Sequence, residues 1–263
     1  MKIFVIHYKK LINRKEHILN IFKQHNITDY EFIEIDRDEI FKENITMFQA
    51  GYSKSQIAIA LSHFYAYKQI NEKYENGLIF EDDVVLSDNF IEILNNYVSH
   101  LPEDYDMLFI GNGCNLHIDS NEIVPNKFIY KKSLKSYSVT RCTDSYVVNK
   151  KCASKLCEYI NTLKYKIKIP VDFWLNIAAK DTGLNVYWAE PTIVTQGTQN
   201  GLFQTSHDTY NTNEVLPIYG TNSTNSTSSI NSINSINSIN STNSTNSNKN
   251  PLHNRMGMIM NKV

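Results

Sequence analysis

The sequence has few cysteines, no excess of charge of either sign and no long apolar run. Only four cysteines occur in 263 residues, and none forms a C-x-x-C pair, so neither a disulfide framework nor a zinc finger is predicted. Lys and Arg number 26 against 27 Asp and Glu, a formal net charge of -1. A nonspecific nucleic-acid binder needs a basic surface, and nucleic acid is therefore not an expected partner. We expect a soluble globular protein with free thiols.

The apolar segment at the N-terminus is short. Residues 3–6 are apolar, whereas a signal peptide needs a core of about 7–15 apolar residues. No run in the sequence approaches the roughly 18 apolar residues that span a bilayer. We therefore expect a cytoplasmic protein without a transmembrane segment, and this includes a viral protein made in a host cytosol.

The composition changes abruptly near residue 219. Residues 220–250 are almost only Asn, Ser, Thr and Ile, and Ser-Ile-Asn repeats from 229 to 240. A period of three residues fits neither an amphipathic helix nor an alternating strand, and the isoleucines are too sparse for a core. We predict one folded domain over residues 1–219 and a low-complexity, disordered tail over residues 220–263.

Strand-like and helix-like segments alternate through the predicted domain. Apolar runs or alternating patterns predict strands at residues 2–8, 30–36, 77–85, 106–111, 137–148 and 185–195. Apolar stripes with a helical period predict helices at residues 14–24, 150–162 and 171–180, and a further long helix that begins at Ser53 or Ser55. This alternation predicts a single α/β domain with a mixed, mostly parallel sheet.

Three consecutive carboxylates, Glu81, Asp82 and Asp83, end the predicted strand at residues 77–85. Three adjacent carboxylates are costly to bury, and their negative charges repel one another. Side chains alternate along a strand, so Glu81 and Asp83 would share one face. Two carboxylates at the carboxyl end of a strand suit a hard divalent cation, and ligands bind at that edge of an open α/β sheet.

Two other interpretations of the triplet remain open. The carboxylates could simply be solvated at a strand end, or one of them could be the nucleophile of a phosphoryl-transfer domain. Such a domain would be expected to carry an acidic residue directly after the first strand, but residues 8–10 are Tyr-Lys-Lys.

Further motifs occur in a fixed order with the triplet, among them Ser62-His63 and a Pro-Val-Asp segment that ends at Asp172. In this order the sequence resembles glycosyltransferase family 25, the lipooligosaccharide galactosyltransferases and collagen hydroxylysine galactosyltransferases. The similar blocks lie at residues 3–18, 55–67, 78–83, 106–111, 143–156 and 170–175. The sequence departs from the family pattern at Gln56, where Glu is common, and at Tyr67, where Trp is common.

The resemblance implies a GT-A type fold, a UDP-sugar donor and a divalent cation, usually Mn²⁺. It also implies an inverting transfer of a hexose, galactose above all, to a hydroxyl group. That acceptor would be a glycan, as in lipopolysaccharide biosynthesis, or hydroxylysine of a collagen-like protein. The alternative is a non-catalytic module of the same fold that binds a nucleotide sugar or a glycan.

The resemblance also implies roles for nine residues. They are the metal ligands Glu81, Asp83 and His207, the donor-binding residues Arg14, Ser62, His63, Asp82 and Gln196, and the catalytic base Asp172. Several have a purely structural alternative: Asp172 could cap a helix, Arg14 could lie on the surface and His63 could pack in a core.

Overall fold

The computed structural model describes residues 1–40 and 45–206. The predicted tail over residues 220–263, and His207, lie outside the described residues. Within that part of the chain the strands are β1 Lys2–Ile6, β2 Tyr30–Ile33, β3 Asn76–Glu81, β4 Val84–Leu86, β5 Met107–Phe109, β6 Ile129–Lys131, β7 Ser145–Asn149, β8 Val186–Ala189 and β9 Val194–Gln196. The α-helices are α1 Ile12–Gln24, α2 Lys54–Lys73, α3 Phe90–Ser99, α4 Lys150–Asn161 and α5 Val171–Asp181.

Seven of these strands form one sheet in the order β2-β1-β3-β7-β5-β8-β6. Strand β1 pairs in parallel with β2 and β3, and β5 pairs in parallel with β8. Strands β7 and β6 run antiparallel to their neighbours, so five of the seven strands share one direction. The predicted α/β class with a mixed, mostly parallel sheet is confirmed. Helices α1 and α2 supply the crossovers that parallel pairs require.

Both faces of the sheet are covered by helices. Phe4 and Ile6 of β1 belong to a core cluster with residues of α2, α4 and α5, whereas Ile3 and Val5 belong to a second cluster with residues of α1 and α3. Alternate residues of a strand point to opposite faces. This double burial explains the continuous apolar runs from which the central strands were predicted.

The predicted strand at residues 77–85 is wrong in one respect, because it is two strands. Strand β3 ends at Glu81, the chain turns at Asp82 and Asp83, and β4 pairs with β9 in a separate two-stranded sheet. In a continuous strand Asp82 would point toward the face that carries Phe80, which packs in the apolar cluster of α1 and α3. The turn takes the Asp82 carboxylate to charged partners instead.

Elsewhere in the described chain, the predicted helices agree with the structure, whereas the predicted strands are too long. Helices α1, α4 and α5 agree with the predicted segments, and α2 begins after Ser53. The strand predicted at residues 137–148 is real only as β7, the one at 185–195 is divided into β8 and β9, and β6 was not predicted. Among the described residues, no helix has the length and apolarity needed to cross a membrane. All four cysteines are free thiols, as predicted.

Candidate functional site

A cavity of about 270 Å³ lies where β1 and β3 end. This is the carboxyl edge of the parallel strands, the edge where open α/β sheets bind ligands. The cavity brings together six of the nine predicted site residues, namely Arg14, Ser62, Glu81, Asp82, Asp83 and Gln196. Residues that are far apart in the sequence thus line one pocket, whose wall also contains apolar residues such as Ile6 and Ile59.

Asp82 is buried at the edge of this cavity, and both of its carboxylate oxygens have partners. Arg14 Nη1 donates to Asp82 Oδ1 at 2.8 Å, and His7 Nδ1 lies 2.8 Å from Asp82 Oδ2. Asp82 is only 5% exposed, so the adjacent guanidinium compensates a largely desolvated charge. These contacts leave Asp82 holding Arg14 and His7 in place.

Asp83 has one satisfied oxygen and one without a partner. Its Oδ2 accepts hydrogen bonds from the backbone N of Thr198 at 3.3 Å and from Thr198 Oγ1. Its Oδ1 is buried and has no hydrogen-bond partner among the described residues. Burial, and then the nearby Glu81 carboxylate, raise the pKa of Asp83. A buried carboxylate oxygen without a donor is unfavourable unless it binds something else.

Glu81 is the most accessible of the three carboxylates. Its Oε1 accepts a hydrogen bond from Thr143 Oγ1 at 2.7 Å and lies 3.7 Å from His63 Nε2. The side chain is 26% exposed and lines the cavity. Glu81 is therefore held from the side away from the cavity and can present its carboxylate to a ligand.

His63 lies behind Glu81 rather than in the cavity. It is fully buried in α2, and its Nδ1 lies 2.8 Å from the hydroxyl of Tyr146. The Tyr146 hydroxyl is also 2.7 Å from the hydroxyl of Tyr67. His63 thus contacts Tyr146 of β7, lies near Glu81 and does not line the cavity.

Asp172 does not line the cavity. It lies half-buried in the first turn of α5, and its Oδ1 accepts a hydrogen bond from the backbone N of Phe173 at 2.9 Å. A carboxylate at this position also interacts favourably with the helix dipole. The N-cap of α5 is Pro170 and no side chain caps the helix, so Asp172 is a first-turn carboxylate rather than the cap, while its role as a base is not tested.

Three functional candidates were missed from the sequence. His7 directly follows β1 at the carboxyl edge of the sheet, and that position was a usable signal. Thr198 is 115 residues from Asp83, and nothing in the sequence links the two. Asp144 is fully buried before β7, and burial raises its pKa to about 8.

The donor set fits a cation shared with a ligand better than one enclosed by protein. Within residues 1–40 and 45–206, no three His, Cys, Asp or Glu side chains are arranged to hold a metal ion. The candidate donors are carboxylate oxygens, which are hard ligands. They belong to the partly exposed Glu81 and to Asp83, whose Oδ1 is buried without a partner among the described residues. Mg²⁺-like cations are commonly bound by one or two carboxylates together with substrate phosphates. The predicted ligand His207 is outside the described residues.

Comparison with known proteins gives one family. The model of "Glycosyltransferase family 25 (LPS biosynthesis protein)" matches residues 1–175. Two relatives come from Acanthamoeba polyphaga mimivirus. A "Procollagen lysyl hydroxylase and glycosyltransferase" is 28% identical over 151 residues, which cover 52% of this chain and 15% of that protein. A second protein, named as a glycosyltransferase, is 28% identical over 147 residues, which cover 50% of this chain and 42% of that protein.

The chain thus spans less than half the length of either relative. Among solved structures, one that is similar is the catalytic domain of Drosophila beta1,4-galactosyltransferase 7 in complex with xylobiose. Its TM-score is 0.41 at 12% sequence identity, with coverage of 80% of this chain and 76% of that one.

Proposed function

Since this chain belongs to glycosyltransferase family 25, whose model matches residues 1–175, we propose that it is a metal-dependent, inverting hexosyltransferase. The donor in this proposal is a UDP-sugar, with UDP-galactose preferred, and the acceptor is a hydroxyl group. The observation that carries the proposal is the buried Asp83 Oδ1, which has no partner among the described residues and belongs to a cavity-lining carboxylate.

The charged residues of the cavity support a nucleotide diphosphate with its cation as the proposed ligand. When bound, a divalent cation such as Mn²⁺ would offset the negative charge that develops on the leaving diphosphate. Asp83 and Glu81 supply oxygen ligands for it, and Arg14 adds a fixed positive charge on the cavity wall. Ser62 and Gln196 offer neutral hydrogen-bonding groups at the same wall. His207 is kept as a further proposed ligand.

Inversion in one displacement also requires a base for the acceptor hydroxyl. We propose Asp172 for this role on the strength of the resemblance, in which Asp172 occupies the last position of a Pro-Ile-Asp motif. Asp172 does not line the cavity, so in this proposal the acceptor hydroxyl would bind at the first turn of α5.

Hydroxylysine of a collagen-like protein is the acceptor that we favour. The support is the printed name of one mimivirus relative, which joins a lysyl hydroxylase to a glycosyltransferase. A bacterial-type glycan is the other acceptor class, since the family description refers to LPS biosynthesis. Either acceptor would present a hydroxyl group to the same site.

A non-catalytic module that binds a nucleotide sugar or a glycan is the second candidate. One observation favours it: the proposed base Asp172 does not line the cavity that holds the acidic triplet. Such a module would bind UDP but would not release it from a sugar.

The decisive experiment measures UDP release from a panel of UDP-sugars by the full chain, with Mn²⁺ and with a chelator. We expect release from one donor, dependent on Mn²⁺, and a loss of at least about 100-fold in Asp83→Asn because a ligand to the charged leaving group is removed. Asp88→Asn is the matched control, since Asp88 is exposed and outside this cavity. If the chain binds UDP but releases none from any UDP-sugar, the enzyme proposal is rejected and the binding module is favoured.

A further inference from the structure

Thr198 connects the two buried aspartates of the triplet. Its Oγ1 donates to Asp83 Oδ2, and its backbone N lies 3.3 Å from the same oxygen. Arg14 Nη2 lies 3.1 Å from Thr198 Oγ1, and Arg14 Nη1 lies 2.8 Å from Asp82 Oδ1. Thr198 therefore lies between the Arg14 guanidinium and the Asp83 carboxylate, whose Oδ1 has no partner among the described residues.

The chemistry of the groups fixes the direction of these hydrogen bonds. A guanidinium has donors only, so Arg14 must donate to Thr198 Oγ1, and the hydroxyl must accept there. A hydroxyl has one proton, and that proton is then directed to Asp83 Oδ2. Arg14 cannot turn away easily, because its Nη2 also donates to the carbonyl O of Gln204 at 2.8 Å.

The consequence is that the two oxygens of Asp83 are made unequal. Two donors from Thr198 occupy Oδ2, whereas Oδ1 is buried and has no partner among the described residues. Rotation of the carboxylate would cost Oδ2 both hydrogen bonds. Oδ1 is therefore the atom of Asp83 that remains for a ligand in the cavity.

We propose that Thr198 is a positioning residue that presents Asp83 Oδ1 as a monodentate ligand for the divalent cation. The inference rests on the proposed function and deepens it, since it assigns a residue beyond position 175, where the family match ends. Mutation of a group that orients a metal ligand typically lowers the affinity for the metal by about 10- to 100-fold.

The test measures the Kd of Mn²⁺ by the loss of its free EPR signal, on the full chain with UDP present. We expect Thr198→Val and Thr198→Ala to raise this Kd by about 10- to 100-fold, and Thr198→Ser, which keeps the hydroxyl, to restore it. Thr195→Val is the control, because the hydroxyl of Thr195 bonds to Asn200 Nδ2 at 2.9 Å rather than to Asp83. Near-ultraviolet circular dichroism confirms that each variant is folded.

The outcomes separate this inference from the proposed function. If Asp83→Asn weakens Mn²⁺ binding but both Thr198→Val and Thr198→Ala bind as the unsubstituted chain does, the role of Thr198 is overturned and the cation site stands. If Asp83→Asn also binds Mn²⁺ normally, the cation site itself is wrong. Thr198→Ala removes the hydroxyl without adding bulk, so it provides the result if Thr198→Val does not fold.

Discussion

Arg14 illustrates how a single side chain acquires its role from residues distant in the sequence. From the sequence it could be a donor-binding arginine or a surface arginine in the first turn of a helix. In the structure it is 6% exposed, and its guanidinium donates to Asp82, Thr198 and the backbone of Gln204. The Phe203 ring lies 5.3 Å from its guanidinium carbon, within the range of a cation–π contact. Arg14 is thus a buried member of the site.

Loss of this buried charge should destabilise the fold. We expect Arg14→Gln to lower the free energy of unfolding by about 3–5 kcal/mol, because Asp82 would be left buried without its cation. Lys15→Gln is the control: its partner Glu34 is 32% exposed and the lysine 38%, and such surface pairs contribute about 0–1 kcal/mol. Urea unfolding of both variants measures these losses in the free energy of unfolding. Equal losses would show that the Arg14–Asp82 pair has no special importance.

At the level of elements, helix α2 and strand β7 are joined by a buried polar contact. The Tyr146 hydroxyl of β7 lies between His63 Nδ1 and the Tyr67 hydroxyl, both of α2. The Tyr146 ring also stacks on Phe109 of β5, with centroids 5.2 Å apart. His63 of α2 lies 3.7 Å from Glu81. The contact with Tyr146 therefore fixes α2 next to the Glu81 carboxylate.

A double-mutant cycle on the two tyrosines tests this contact. Tyr146→Phe should cost about 1–3 kcal/mol, because it leaves the Tyr67 hydroxyl and His63 Nδ1 buried without a partner. Tyr67→Phe on the Tyr146→Phe background should then cost less than it does alone, with a coupling of about 0.5–3 kcal/mol. Tyr159→Phe removes an exposed bond to Asp181 and serves as control. If the free-energy costs of the two single substitutions simply add in the double variant, the proposed contact between Tyr67 and Tyr146 is contradicted.

The same elements explain what the sequence could and could not predict. Helices α4 and α5 were predicted closely because their periodic apolar stripes lie within one continuous segment. The break between β3 and β4 was not predicted. It depends on the contacts of Asp82 with Arg14 and His7, and both are distant in the sequence. Strand β6, with only three residues, has too short a pattern to be recognised.

For the site, contiguous motifs supplied most of the candidates. Glu81 and Asp83 line the cavity, although the alternation argument that grouped them was wrong, and their role as metal ligands stays a prediction. Thr198 was missed because its importance arises only from the folding of the β9 region onto the triplet. The roles of Asp172 and His207 stay predictions.

On the scale of the whole molecule, Asp144 couples the fold to pH. Burial raises the pKa of Asp144 to about 8. Its Oδ2 accepts a hydrogen bond from Ser145 at 2.7 Å, and its Oδ1 has no partner among the described residues. A methyl group on Gly111 or Gly113 would overlap the carboxylate, so both glycines pack directly against it. At neutral pH the folded chain therefore keeps Asp144 protonated.

Stability should consequently fall as the pH rises. Below about pH 4 Asp144 is protonated in both the folded and the unfolded chain. Between that pH and about 8 only the unfolded chain loses the proton, so the free energy of unfolding falls by up to about 1.4 kcal/mol per pH unit. We expect Asp144→Asn to flatten this part of the profile, measured by urea midpoints from pH 5 to 8. The exposed Asp119 gives the control Asp119→Asn, and an unchanged slope in Asp144→Asn would refute the assignment.

The family match ends at residue 175, inside α5, and this has a practical consequence for expression. A fragment cut at that boundary would lose β8, which pairs with both β5 and β6, and would expose the edge of β5 to aggregation. It would also lose the acceptor groups on Thr198 and Gln204 that hold Arg14. A fragment for crystallisation must therefore extend at least through Ser206, whose carbonyl O accepts a hydrogen bond from Arg37.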